Sequence, residues 1–231
     1  MDINEESKAL SVVCILPTYN EKDTVERVIN SIFRLQDEVK KFRLKVLVVD
    51  DMSPDGTGDT VFSLMKKHKN LSLIQGKKEG LGAAYKRGIK EALNNLGADF
   101  IIQMDSDGQH DPKVIKNFLS LTSEYDVVIG SRFTEGGKII DFSKWRLFLS
   151  LFGNLLVRYL GGAYLIKDCT SGFRLININI LKKCDLYNFP TKGYSFQSWL
   201  ICDLLRKGAS IKEVPITFEK RISGSSKLSF E

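Results

Sequence analysis

Two aspartates one residue apart, Asp105 and Asp107, follow directly on the apolar run from Phe100 to Met104. If that run is a buried strand of an α/β protein, its C-terminal end opens onto the ligand crevice and both carboxylates project there. Their joint negative charge calls for a cation. The hard-oxygen set Asp105, Asp107 and the amide oxygen of Gln109 suits Mg²⁺ or Mn²⁺ better than zinc, because no Cys or His spacing supports a soft site. A calcium-binding EF-hand is excluded: counting from Asp105, the glycine position is His110 and the bidentate-glutamate position is Lys116. The simpler alternative is that the two aspartates only cap the next turn, with His110 a turn residue beside them.

Such a pair needs a strand behind it, and the chain supplies several. Val12–Leu16 and Lys45–Val49 read as buried strands, Leu71–Ile74 as a shorter one, and Asp126–Ile129 as another that ends in Gly130-Ser131-Arg132. Helices are expected between them: one after Asn20, a plausible N-cap, with Val25, Val28, Ile29, Ile32 and Phe33 at helical spacing, one beginning near Ala83, and one from Pro112. A last strand is expected over Ile211–Phe218, and His68 as a solvated helix residue. Continuous apolar strands alternating with helices predict a mainly parallel sheet covered on both faces. Four strand ends, at Pro17, Asp50, Asp105 and Gly130, then deliver polar residues into one crevice. The glycine-containing loop from Gly76 to Gly82, ahead of a helix N-terminus, adds a place for a diphosphate. A dinucleotide-binding fingerprint does not fit, since Gly80-x-Gly82-x-x-Tyr85 lacks the third glycine and follows the third strand, not the first.

The 231 residues, 43% hydrophobic, suffice for one domain, here residues 11–231 after a polar tail at 1–10. Lys and Arg exceed Asp and Glu, 34 against 28, which favours a phosphate-bearing ligand or an anionic membrane surface. The four cysteines form no CxxC pair and read as reduced thiols, consistent with a cytoplasmic setting. The start of the chain lacks a basic, then apolar, export signal, and no window reaches the roughly 18 apolar residues of a membrane span. The segment 145–160 is nonetheless unusually apolar. It is either a core helix or an amphipathic helix lying in the membrane interface. A basic loop at 220–228 carries Lys220, Arg221 and Lys227.

Taken together, Pro17-Thr18-Tyr19-Asn20-Glu21, Asp50-Asp51-x-Ser53-x-Asp55-Gly56-Thr57, Gly80-Leu81-Gly82, Asp105-Ser106-Asp107-Gly108-Gln109-His110, Gly130-Ser131-Arg132 and Asp168-x-Thr170-Ser171-Gly172-Phe173-Arg174 resemble family 2 glycosyltransferases of GT-A fold. With the closing Arg221-x-x-Gly224-x-Ser226-Lys227-Leu228 they are similar to the dolichol- and polyprenol-phosphate mannose synthases, from about Val12 to Leu228. The resemblance implies that Pro17, Tyr19, Glu21, Val49 and Asp51 cradle the donor nucleoside, with Asp51 facing the base. It implies that Asp105, Ser106 and Asp107, helped by Gln109, bind metal and diphosphate. Arg132, Arg221 and Lys227 would hold phosphate oxygens, and Arg146 would face the acceptor phosphate. The implied partners are a nucleotide sugar such as GDP-mannose, a polyprenol phosphate and the cytosolic face of a membrane, where an anchoring partner subunit has a place and nucleic acid has none.

The chain departs from the subgroup in places. Leu147 and Leu151 stand where basic residues are common, Trp199 stands where Glu is common, and the sequence stops three residues after Leu228. Gly193 to Leu200 contains no carboxylate to act as general base and no QxxRW motif. A hydroxyl acceptor needs such a base. A phosphate monoester, with a second pKa of about 6, does not. Asp168 is open to capping, scaffolding or catalysis. Two alternatives remain beside mannose transfer to a lipid phosphate: transfer of another sugar, such as glucose from a UDP donor, and nucleotide-sugar binding without turnover.

Overall fold

A computed structural model describes residues 9–140, 144–186, 193 and 195–219, with the backbone alone at 144–146 and 149. The first half alternates strictly: β1 (Leu10–Thr18), α1 (Lys22–Phe33), β2 (Phe42–Asp50), α2 (Thr57–Met65), β3 (Leu71–Gln75), α3 (Leu81–Asn94) and β4 (Phe100–Gln103). The second half is less regular: α4 (Val114–Ser120), β5 (Val127–Ser131), β6 (Lys138–Ile139), α5 (Lys144–Leu160), β7 (Arg174–Asn177), α6 (Ile178–Leu181), α7 (Ser195–Arg206), β8 (Ile211–Pro215) and β9 (Thr217–Phe218).

Seven strands form the main sheet in the order β3-β2-β1-β4-β7-β5-β8, and β6 pairs with β9 in a small second one. All pairings are parallel except those of β7, which runs against both β4 and β5. Successive strand residues point to opposite faces, and both faces are covered, which is why the strands read as unbroken apolar runs. Val12, Cys14 and Leu16 pack with Val25, Ile29 and Ile32 of α1 on one face. Val13, Ile15, Leu47 and Val49 pack with Ala84 and Ile89 of α3 and Leu200 of α7 on the other. The second face depends on Gly88: a Cβ there would lie 2.5 Å from Ile15 Cγ2 and 3.0 Å from Val49 Cγ2, so glycine lets α3 sit this close to the sheet.

Several expectations are corrected. Strand β7 is absent from the sequence reading because it has four residues and opens with an arginine; β4 and β5, not its own composition, hold it extended. The expected last strand is two, since the chain leaves the main sheet after Pro215 and resumes in the small one at Thr217. Asn20 does not cap α1. It takes a left-handed conformation, φ 56°, and Glu21 is the N-cap residue. His68 lies beyond α2 and stacks on Phe33, with ring centroids 4.6 Å apart.

Helix α5 presents its apolar side outward. Phe148, Leu151, Phe152, Leu155, Leu156, Tyr159 and Leu160 are all exposed, followed by Tyr164 and Leu165 at 58% and 92%. Among its described side chains the one that is buried is polar: Asn154 accepts from the Cys169 N–H at 2.7 Å and donates to Thr170 Oγ1 at 3.2 Å. A core helix is built the other way round. Among the described residues no helix is long and apolar enough to cross a membrane.

Candidate active site

The six parallel strands finish on one edge of the sheet, and loop contacts knit their ends together. Strand order reverses between β1 and β4, the switch point at which open α/β sheets place ligands. Ser106 Oγ donates to the Pro17 carbonyl across that point at 2.8 Å. The Asp51 N–H donates to Thr18 O at 3.0 Å, and the Gly76 N–H to Asp50 O at 3.0 Å, which brings the β2 end and the loop ahead of α3 alongside. On the far side Ser171 Oγ donates to Gly130 O at 2.6 Å, joining the β5 end to the loop that enters β7. The six sequence motifs within the described residues therefore gather at one edge of the sheet.

At its centre Asp105 is partly open, its side chain 34% exposed, while Asp107 is buried. Gly108, at φ 79°, turns the chain back so that the Gln109 N–H donates to Asp107 Oδ1 at 3.1 Å. Gln109, the third oxygen donor expected from the sequence, is buried, and its amide nitrogen donates to Glu219 O at 2.7 Å, while the Glu219 N–H returns a bond to Gln109 O at 3.1 Å. The aspartate loop is thus tied to the residue after β9, just before the basic segment at 220–228. His110 is buried between Phe173 and Phe218, centroids 4.9 and 5.2 Å away, with Nε2 3.6 Å from Asp105 Oδ2. This packing makes it a buried wall of the site, within the bend that follows the aspartate pair. Among the described residues no three His, Cys, Asp or Glu side chains gather as a metal cage. Two neighbouring carboxylates fit a hard divalent ion that takes its other ligands from phosphate oxygens and water.

The expected nucleoside end is more occupied than the motifs suggest. Asp50 is fully buried and accepts from Thr18 Oγ1 at 2.9 Å, the Ser53 N–H at 3.1 Å and Gln75 Nε2 at 3.1 Å, a scaffold for the loop. Asp51 pairs closely with Arg87 of α3. Burial raises the Asp51 carboxyl above its ordinary value, against the hydrogen bond and charge of Arg87. Lys78 Nζ lies 3.8 Å over the Tyr19 ring. Pro17 and Glu21 are half-buried at the rim, and the Glu21 N–H is held by Thr57 Oγ1 at 3.0 Å. Asp55 serves both flanking helices, accepting from the Thr57 N–H and the Lys22 N–H. Val49 has its side chain fully buried under α3, which leaves its backbone as the part that could meet a donor.

Arg132, at the β5 end, is fixed by Asp168. The carboxylate accepts from Arg132 Nε at 2.8 Å, from Nη2 at 2.7 Å and from the Arg132 N–H at 3.0 Å, while Thr170 Oγ1 accepts from Nη2 at 2.8 Å. Glu213 holds the Asp168 N–H at 2.9 Å from behind. Burial would push the Asp168 carboxyl up, but the Arg132 hydrogen bonds and charge outweigh it and hold the carboxyl below its ordinary value. Asp168 is therefore committed to orienting Arg132. Arg146 lies in α5 with its side chain outside the described residues, as do Arg221 and Lys227 altogether.

Sequence reasoning passed over four residues. Arg87 and Lys78 carry no motif. Tyr85 sits one turn ahead of Gly88, a lone aromatic in the first turns of α3 whose hydroxyl donates to Asp105 Oδ1 at 3.4 Å. Arg174 closes a quoted motif but was given no role. It is fully buried, donates to Gln197 O and Cys169 O at 2.6 Å each, and has its pKa pulled down by burial to about 10.

Residues 13–185 match Glycosyl transferase family 2, and the chain belongs to that family. It is a glycosyltransferase with the GT-A fold. Over 221 residues it is 38% identical to the undecaprenyl-phosphate mannosyltransferase of Micrococcus luteus, covering 95% of this chain and 88% of that one. It is 36% identical to the polyprenol monophosphomannose synthase of Mycolicibacterium smegmatis, covering 93% and 80%. Among solved structures, glucosyl-3-phosphoglycerate synthase from Mycobacterium tuberculosis, in complex with Mn²⁺ and uridine-diphosphate-glucose, superposes with a TM-score of 0.68 at 18% identity over 94% of this chain and 72% of that one. A mannosyltransferase from Pyrobaculum calidifontis, in complex with GDP-Man and Mn²⁺, superposes with a TM-score of 0.61 at 18% identity over 89% and 56%. At that identity these two establish the fold alone.

Proposed function

We propose that this enzyme transfers mannose from GDP-mannose to the phosphate of a polyprenol, dolichol or a bacterial counterpart, with Mg²⁺ or Mn²⁺ and with inversion at the anomeric carbon. The names of the two relatives support the sugar and the lipid phosphate. The observation that carries the mechanism is the commitment of Asp168. Asp168, the carboxylate whose role the sequence leaves open, is spent on Arg132, which fits an acceptor that brings its own negative charge.

The chemistry then centres on the leaving group. A phosphate oxygen of the lipid forms a bond to the anomeric carbon as the bond from that carbon to the diphosphate breaks, and GDP departs with the electron pair. A divalent ion, when bound, supplies Lewis-acid stabilisation of the diphosphate. Asp105 and Asp107 would hold it. Arg132 keeps one planar guanidinium at a fixed angle to the crevice, electrostatic stabilisation set in place before the reaction. Arg146 would face the acceptor phosphate, and Arg221 and Lys227 would add cations from the terminal segment. Pro17, Tyr19, Glu21 and the Asp51–Arg87 pair would form the nucleoside end.

The acceptor is a membrane lipid, and α5 is shaped to meet it. Its outward row, Phe148, Leu151, Phe152 and Leu155, resembles the face that peripheral helices bury at the acyl boundary. The enzyme then works at the cytosolic face of a membrane, alone or with an anchoring subunit. The test is to incubate the chain with Mn²⁺, polyprenol phosphate and either labelled GDP-mannose or labelled UDP-glucose, then extract the lipid. Mannose in the organic phase from GDP-mannose is expected. Label from UDP-glucose alone would replace the donor, and label from neither would overturn the assignment.

A further inference from the structure

The nearer carboxylate of the aspartate pair is gripped from behind as well as exposed in front. Tyr85 is fully buried, and a buried phenol needs an acceptor for its hydrogen. Its hydroxyl points at Asp105 Oδ1, 3.4 Å away. On the other side of the same carboxylate, His110 Nε2 stands 3.6 Å from Oδ2, and neither His110 ring nitrogen makes a hydrogen bond among the described residues. Gly172 completes the setting: a methyl there would lie 3.4 Å from Oδ2 and 3.5 Å from Oδ1, so the carboxylate rests against that backbone.

We propose that Tyr85 is a positioning residue for the metal-and-diphosphate site, its hydroxyl fixing the orientation of the Asp105 carboxylate towards the crevice. The phenol is suited to this in two ways. Its ring is held, stacked on Phe196 of α7 with centroids 6.1 Å apart and planes 9° from parallel. Its helix is held, because Gly88, three residues on, presses α3 against Ile15 and Val49. Outer residues that orient metal ligands in this manner commonly contribute about 10- to 100-fold in metal affinity. A bond of this length lies at the weak end, which sets the expectation at about tenfold.

The inference rests on the metal-dependent function proposed above, and the experiment separates the two. Mn²⁺ binding to the full chain, with GDP or UDP present, is measured from the electron paramagnetic resonance signal of free Mn²⁺ for the native protein, Tyr85→Phe and Asp107→Ala. Nucleotide affinity without metal and the thermal midpoint are measured beside it. Tyr85→Phe keeps the stacked ring, and it is expected to bind Mn²⁺ about tenfold more weakly with metal-free nucleotide affinity unchanged. If the native protein binds Mn²⁺, Asp107→Ala does not, and Tyr85→Phe binds like the native chain, the positioning role is overturned while the metal site stands. A lowered thermal midpoint with unchanged Mn²⁺ affinity likewise makes Tyr85 merely structural. If native and Asp107→Ala chains bind Mn²⁺ equally, or neither binds it, the metal site itself fails.

Discussion

Replacing Asp168 by Asn tests the most heavily bonded side chain of the site. The carboxylate is fully buried and accepts three hydrogen bonds from Arg132, two of them from the guanidinium, whose side chain is 10% exposed. Asparagine keeps the shape, removes the charge and turns one acceptor into a donor facing the guanidinium. Breaking one partner of a buried ion pair costs about 3–5 kcal/mol, because the other charge stays buried without compensation. For a chain of this size each kcal/mol moves the thermal midpoint by about 2–4 °C, so Asp168→Asn should melt roughly 6–20 °C below the native protein. The pH dependence has a definite sign. The folded-state pKa of Asp168 is depressed, so its contribution is present above the unfolded value of about 3.9 and is lost as pH falls towards and through the lower folded value. The gap between native and variant midpoints should therefore be full at pH 7 and shrink only below about pH 4. Circular dichroism melts across that range measure it. A loss no larger than that of an ordinary surface substitution, about 0.5 kcal/mol, would refute the clamp. So would a variant of native stability whose rate has lost its acidic limb, since that is the behaviour of a general base.

Asp107→Ala should abolish metal-dependent transfer while leaving the fold intact, checked by lipid extraction and circular dichroism; near-native turnover removes Asp107 from the site. Gly88→Ala should destabilise by about 1–3 kcal/mol in denaturant titration, because the new methyl meets Ile15 and Val49 and overpacks the interface. Phe152→Asp combined with Leu155→Asp should weaken co-flotation with anionic liposomes and slow transfer to membrane-embedded acceptor, leaving stability unchanged because both side chains are about half exposed. Equal flotation of native and variant chains would detach α5 from the membrane.

The parallel framework was legible because its strands are buried on both faces: runs such as Val12–Leu16 and Lys45–Val49 need no partner to be recognised. Strand β7 was not, because Arg174–Asn177 becomes a strand only between β4 and β5, a tertiary effect that local pattern cannot carry. The reversed polarity of α5 was half legible. Its apolar content was plain, but which way the apolar side faced depended on Asn154 reaching Thr170 and the Cys169 backbone. The motif residues of the site were found at strand ends, whereas their helix-borne partners, Arg87 to Asp51 and Tyr85 to Asp105, were missed because those contacts span 36 and 20 residues of sequence. Val49 was legible only in part: its place at the end of β2 was plain, but that the strand's pleat turns its side chain beneath α3 was not.

The central claim is that catalysis acts on leaving-group charge and relies on an acceptor already ionised. It is tested most directly by offering labelled GDP-mannose and Mn²⁺ with polyprenol phosphate in one reaction and the unphosphorylated polyprenol in another. Label should enter the lipid only when the phosphate is present, and transfer to the free alcohol at a comparable rate would contradict the claim.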